Sequence, residues 1–361
     1  MDFHHLHFYV DDARRWGEWF VKTLQFTWIR LERQALSCTV WLRQGAVRVR
    51  LSSPTAERGP IADYLSVHPP GIVDIAFAVA DLPTTLQQVL RRGARLRRPP
   101  EWGCLGDLTS QSAQVTGWAG LSHTLVQCDP IANTTHSEVW IEGIDHAVLN
   151  VPKGDLTVTA AWYRDTFGFQ LQQQFTIQTP TSGLYSQVLI HPDGNAQLPI
   201  NEPSTANSQI QEFLSVNRGA GVQHVALRTG DLVGAIAALR TKKLSLLSVP
   251  ASYYQQLVQR PGYHPQAADW QAIAQQQILV DWPPEQPQAM LLQTFTDPIF
   301  EQPTFFFELI ERRRYVEAGQ VKVPLGFGEG NFQALFEAME RDQYRRGALT
   351  PERASATAKS C

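Results

Sequence analysis

Apolar positions along this chain repeat with two periods, and each change of period marks a strand giving way to a helix. Phe3-His4-His5-Leu6-His7-Phe8-Tyr9-Val10 alternates as a strand does. The Trp-rich stretch Trp16-Gly17-Glu18-Trp19-Phe20-Val21, ending at Leu24-Gln25-Phe26, follows as an amphipathic helix. Ile144-Asp145-His146-Ala147-Val148-Leu149-Asn150-Val151, followed by Ala161-Trp162-Tyr163-Arg164 and Phe167-Gly168-Phe169, repeats that order. A second pair is clearer. Gly71-Ile72-Val73-Asp74-Ile75-Ala76 leads to Asp81-Leu82, and Gly221-Val222-Gln223-His224-Val225-Ala226 leads to Asp231-Leu232. Each reads as a strand, a turn, an Asp cap and a helix, predicted over 84–92 and 233–240, with further strands after it.

Two similar halves, each with two strand-helix-strands modules, imply one fold duplicated. The polar, irregular run Ile131-Ala132-Asn133-Thr134-Thr135-His136-Ser137 is the natural linker. The expected division is a first domain over 1–130, a linker over 131–137, a second domain over 138–342 and a disordered polar tail over 343–361. A length of 361 residues suits two such domains. Charged residues make up 18% of the chain, below the roughly 25% usual for soluble domains, which predicts a well-buried globular protein. A net charge of −3 offers no basic footprint for nucleic acid or an anionic membrane. Cys38, Cys104, Cys128 and Cys361 are too scattered for a disulfide framework or a structural zinc site, so a reducing compartment is expected. The start, Met1-Asp2-Phe3-His4-His5, has neither a basic nor an apolar leader region, and the expectation is an unexported, cytoplasmic protein.

The chemistry lies in His146, His224 and Glu308. Each sits within an alternating apolar stretch, so each points the same way as its apolar neighbours two residues off. An ionisable group aimed into an apolar interior is expensive unless satisfied, and two imidazoles with one carboxylate satisfy each other best around a divalent metal. Two His and one carboxylate are the facial set of non-haem Fe(II) oxygenases, which leaves three positions open. The first half has His5 and Asp74 at corresponding places, with His123 a possible third partner; a scaffold role with satisfied core histidines is the stronger reading there.

With the repeats in place, the second half resembles the 4-hydroxyphenylpyruvate dioxygenases of the vicinal-oxygen-chelate superfamily. The resemblance rests on nine stretches in the family's order. They are Gly143-Ile144-Asp145-His146, Ser182-Gly183-Leu184-Tyr185-Ser186, Leu198-Pro199-Ile200-Asn201-Glu202-Pro203, Ser208-Gln209-Ile210-Gln211 and Gly221-Val222-Gln223-His224-Val225-Ala226-Leu227. Ile278-Leu279-Val280-Asp281, Leu291-Leu292-Gln293-Thr294-Phe295-Thr296, Pro303-Thr304-Phe305-Phe306-Phe307-Glu308 and Gly326-Phe327-Gly328-Glu329-Gly330-Asn331-Phe332 complete the set.

The resemblance implies an α+β fold of two tandem vicinal-oxygen-chelate domains. Each would consist of paired βαβββ modules in a half-open barrel, and a C-terminal lid helix would follow. It implies one Fe(II) per chain on His146, His224 and Glu308, conversion of 4-hydroxyphenylpyruvate and O2 to homogentisate and CO2, and a homodimer or homotetramer. It places Ser186, Asn201, Gln209, Gln293, Phe295, Phe306, Phe327, Asn331 and Phe332 around the substrate, with Pro199 and Gln223 as further neighbours. Gln223, beside His224, points the other way on an ideal strand. No side-chain acid or base is required. Phe332, Leu335, Phe336 and Met339 form one helical stripe, which suits a lid over the iron. Hydroxymandelate synthase shares fold, metal and substrate; Phe295 and Pro199-Ile200-Asn201 match the dioxygenase pattern better. A metal-free ligand-binding relative is the remote alternative.

Overall fold

A computed structural model of the chain describes residues 1–128, 140–179, 182–266, 268–328, 330–332, 334 and 346. The first half runs β1 (Asp2–Tyr9), α1 (Ala13–Leu24), β2 (Thr27–Arg33), β3 (Ser37–Gln44), β4 (Val47–Pro54), α2 (Pro60–Val67), β5 (Gly71–Val79), α3 (Leu82–Arg91), β6 (Leu96–Leu105), β7 (Leu108–Thr116) and β8 (Ser122–Gln127). The second runs β9 (Gly143–Asn150), α4 (Leu156–Phe167), β10 (Gln170–Gln178), β11 (Gly183–Ile190), β12 (Gln197–Pro203), α5 (Gln209–Asn217), β13 (Gly221–Arg228), α6 (Leu232–Thr241), α7 (Ala251–Leu257), α8 (Trp270–Gln275), β14 (Leu279–Asp281), β15 (Leu291–Phe295) and β16 (Phe306–Arg312).

The strand orders, β2-β3-β4-β1-β5-β8-β7-β6 and β10-β11-β12-β9-β13-β16-β15-β14, are the same order written twice. Within each module the first strand pairs parallel with the last, and the two modules of a half join through an antiparallel pair, β1 with β5 and β9 with β13. Two tandem half-barrels of paired βαβββ modules result. Asp81 caps α3 by accepting from the Thr84 amide, and Asp231 caps α6 by accepting from that of Gly234. Each cap satisfies an amide that lacks a partner in the helix.

The halves share one core. Phe8 meets Phe305 edge-on at 5.1 Å and Phe20 meets Phe307 at 5.9 Å, so Phe305 and Phe307 face the first half. Each such ring stabilises by about 1.5–3 kcal/mol when fully buried. His123 also belongs to this seam, its ring nitrogens 3.0 Å from the Ile75 carbonyl and 3.0 Å from the Tyr163 hydroxyl. It therefore does not join His5 and Asp74; Thr124, its neighbour on β8, faces Asp74 instead. His4 departs from strict alternation. The register slips between Phe3 and His5, and His4 bends round to place Nδ1 2.8 Å from His5 Nδ1.

The 131–137 linker and nearly all of the 343–361 tail lie outside the described residues, as do Leu335, Phe336 and Met339 of the lid stripe. The backbone is helical at 330–332 and 334. Among the described residues no helix is long and apolar enough to cross a membrane. Cys38 and Cys104 are free thiols.

Candidate metal centre and pocket

Register brings the three ligand candidates together. Ala226 on β13 pairs with His146 on β9 at one side and with Glu308 on β16 at the other. His224 lies two residues before Ala226 on the same face of β13. Across 162 residues of chain, the donor atoms of all three lie within 4.8 Å of one another. His146 Nε2 is 3.3 Å and His224 Nε2 3.6 Å from Glu308 Oε2, and all three side chains are buried. Phe306 stacks on His224 at 4.7 Å and Phe327 meets His146 edge-on at 5.2 Å, which fixes both rings.

Burial opposes charge on each member. The Glu308 and Asp145 carboxylates nevertheless hold His146 up to about 9, and the imidazoles hold Glu308 down to about 2. Burial lowers His224. His146 Nε2, both nitrogens of His224 and Glu308 Oε2 have no hydrogen-bond partner among the described residues. Buried polar atoms left this way are costly. Three converging orphaned donors of this composition fit a divalent transition metal with open coordination positions.

A second layer of polar contacts holds the ligands. The register slips between Ile144 and His146, which leaves Asp145 bulged out of the ladder. Its carboxylate therefore turns towards its neighbour, with Oδ1 3.0 Å from His146 Nδ1. Arg312 donates two bonds of 2.8 Å to the same carboxylate, from Nε to Oδ2 and from Nη2 to Oδ1. Its third nitrogen donates to the carbonyls of Pro324 at 2.9 Å and Gly326 at 2.7 Å. On the other side, Gln293 Nε2 donates to Glu308 Oε1 at 2.8 Å and to the Phe327 carbonyl at 3.0 Å. Asn331 Nδ2 donates to Gln293 Oε1 at 2.7 Å, and the Tyr253 hydroxyl donates to Asn331 Oδ1 at 3.1 Å. Gly328, at φ +75°, makes the turn between Phe327 and Asn331, where a Cβ would collide with the Gln293 amide. Every connection from the C-terminal segment named here runs to a group that touches a ligand candidate or one step behind it.

The cavity beside His146 and His224 is lined by Ser186, Pro199, Asn201, Gln209, Gln223 and Phe332, closed by Phe175, Ile177, Leu184 and Ile210. Gln223 reaches it because the β13 register slips between Val222 and His224, a bulge that overrides alternation. Ser186 Oγ and Gln209 Oε1 are buried there without a partner among the described residues. Phe332 stacks on Phe175 at 5.4 Å. Gln293, Phe306 and Phe327 touch Glu308, His224 and His146, Phe295 pairs with Glu308 in register, and Asn331 stands behind Gln293; none of the five lines this wall. Asp145, Arg312 and Tyr253 were not singled out by sequence; the Asp beside a candidate ligand His was the available signal, since metal-bound imidazoles usually donate to a carboxylate.

The first half shows what the same register does with other residues. His5 pairs with Ala76 as His146 does with Ala226, and Asp74 pairs with His7 where His224 pairs with Val148. Asp74 instead accepts three bonds, from the Thr124 amide and hydroxyl and from Gln114. Among the described residues His146, His224 and Glu308 form the one cluster able to hold an ion.

Models of the glyoxalase/bleomycin resistance protein/dioxygenase superfamily match residues 143–259 and 4–106, one in each half. A 4-hydroxyphenylpyruvate dioxygenase of Tetrahymena thermophila is 30% identical over 97% of this chain and 92% of its own. One from Legionella pneumophila is 34% identical over 79% and 80%. An uncharacterised protein of Synechocystis is 34% identical over 94% and 97%. Among solved structures, a mutant 4-hydroxymandelate synthase from Streptomyces coelicolor has the same fold, with a TM-score of 0.82 at 24% identity over 95% of this chain and 98% of that one.

Proposed function

This chain belongs to the 4-hydroxyphenylpyruvate dioxygenase family of the vicinal-oxygen-chelate superfamily, and from that premise we propose that it converts 4-hydroxyphenylpyruvate and O2 to homogentisate and CO2. One Fe(II) per chain is held by His146, His224 and Glu308. The observation that carries this reading is the set of buried, converging donor atoms without partners, one wall of which opens on an apolar cavity. When bound, ferrous iron supplies O2 activation and oxidative decarboxylation of a 2-oxo acid.

The chain's own residues do the rest. Asp145 keeps the proton of His146 on Nδ1 and so leaves Nε2 free to ligate, while Gln293 holds the other oxygen of Glu308. Ser186 and Gln209 present orphaned oxygens at the cavity wall, suited to bond a phenol without placing charge there. Asn201, Pro199 and Gln223 complete that wall, and Phe332 with Phe175 shields the ring from water. Phe295, Phe306, Phe327 and Asn331 fix the geometry behind it.

The cavity has a volume of about 40 Å³, far below the roughly 300 Å³ at which small-molecule sites begin. Substrate entry therefore requires the Phe332 wall to move, which gives the helix beginning at Gly330 the part of a lid. Truncation after Gly330 is expected to leave iron content near that of the full chain and to cut turnover by about a hundredfold or more, since small misplacements cost that much. Undiminished turnover of the truncated chain rules the lid out.

Product analysis by mass spectrometry tests the reaction. After anaerobic loading with Fe(II), addition of 4-hydroxyphenylpyruvate and O2 should yield homogentisate. Hydroxymandelate as product keeps the metal site and overturns the assignment of Phe295 and Pro199; no product from iron-loaded protein overturns the substrate.

A further inference from the structure

A partly open cavity of about 400 Å³ lies between the first half-barrel and the second half, and its wall includes Arg50, Arg98 and Arg97 together with His7, Asp74 and Gln114. Arg50 on β4 pairs with His7 on β1 and with Trp41 on β3. Carried into the second half, that position is Pro199, which pairs with Val188 and lines the proposed substrate cavity. The duplicated fold thus has two cavities, one lined near the metal by neutral amides and one lined by charge.

The charge is not balanced from within. Arg50 makes no hydrogen bond or ion pair to any described residue, its Nε is shut off from solvent, and its guanidinium lies 5.5 Å over the Trp41 ring. Burial and the neighbouring Arg98 both disfavour its charge. The carboxylate nearest in the wall, Asp74, is already engaged by Thr124 and Gln114. Arg98 has a partner in Glu101 at 3.1 Å, and Arg97 donates to Ser122 at 2.9 Å and to the Gly120 carbonyl. Arg50 is half-buried, with its Nε shut off from solvent; a planar carboxylate matches its fork, and Trp41 packs on its face. The wall also carries Tyr9, Tyr64, Ile72, Phe213 and Phe305, beside the polar side chains of His68, Ser122, Asn217 and Thr304.

We propose that this cavity is a second, non-catalytic binding site, which takes a small organic monocarboxylate with an aromatic or apolar body, its carboxylate on Arg50 and its body against the Tyr64 and Phe305 wall. The site is independent of iron and of the reaction assigned to the other half. Leu149 and Val222 also line the cavity, so a bound ligand touches the strands that carry His146 and His224.

The test is calorimetric titration of 3-phenylpropionate into the full chain freed of metal by EDTA. Saturable binding at about millimolar affinity or tighter is expected. Arg50→Gln should weaken it about tenfold or more without lowering the unfolding temperature as loss of a structural contact would. Asn201→Ala, in the other cavity, should leave it unchanged. The proposal is overturned by absence of binding up to about 10 mM, by equal binding of neutral 3-phenylpropanamide, by indifference to Arg50→Gln, or by loss in Asn201→Ala. Because the protein is metal-free and no turnover is read, none of these outcomes depends on the reaction proposed above.

Discussion

Glu308→Gln should strip iron from the protein and stop turnover while leaving the fold in place. The substitution preserves size and can keep a contact to Gln293. It removes the one carboxylate within 4 Å of both imidazole Nε2 atoms. Loss of a group merely behind a ligand costs about 10–100-fold in metal affinity or activity, so loss of a ligand should cost at least the upper end of that range. The metal-free variant should remain folded but melt below the metal-free parent, because the imidazoles favour the charged form of Glu308 and its loss breaks that buried pair from one side. Iron by mass spectrometry, oxygen uptake and a thermal melt make the comparison. A variant that still binds about one iron per chain with undiminished turnover removes Glu308 from the ligand set.

What could be read from sequence follows from what has a period. The modules were legible because strand and helix periods are carried by many residues at once, and a single deviation does not hide them. His146, His224 and Glu308 were legible for a related reason: each is a polar exception among apolar neighbours two residues away. The places where reading failed are places where one residue breaks the period. The bulge at Asp145 turns a side chain that alternation sends outward towards His146, and the bulge before His224 brings Gln223 into the cavity. Bulges re-aim side chains without a reliable mark in sequence. The first-half cavity was hidden differently. Val47-Arg48-Val49-Arg50 looks like a strand with one wet face, yet Arg48 is buried on Asp107 at 2.7 Å and Arg50 lines the first-half cavity. Only the curl of the sheet turns that face inward, and the curl is a property of all eight strands.

The stretch between α6 and β14 ties down the C-terminal segment. Tyr253 on α7 accepts from the Val280 amide at 2.8 Å and donates to Asn331. Arg260 pairs with Asp281, whose other oxygen accepts from the Gly330 amide at 3.0 Å. That stretch anchors the base of the proposed lid.

Arg312→Met should weaken both metal binding and the fold, by a route that a simple loss of packing does not reproduce. Arg312 and Asp145 are 8% and 1% exposed, and the arginine supplies two of the three bonds the carboxylate receives from side chains. Breaking such a pair from one side leaves a buried charge uncompensated, at about 3–5 kcal/mol. The Asp145 carboxyl lies well below its usual range despite burial, because Arg312 and then His146 favour its charged form. Without Arg312 that carboxylate either takes up a proton or swings away, and in both cases His146 Nδ1 loses an ionised acceptor. Metal affinity should then fall about 10–100-fold even though no ligand has been touched. The carbonyls of Pro324 and Gly326 lose their donor as well, which loosens the turn carrying Phe327 against His146. Asp145→Asn combined with Arg312→Met separates the effects. Removing both charges should recover much of the lost stability but not the metal affinity, as read by melting temperature and by competition with a chelator. If the single variant binds iron as tightly as the parent, Asp145 does not orient His146; if the double variant recovers affinity along with stability, the arginine acts only through the fold.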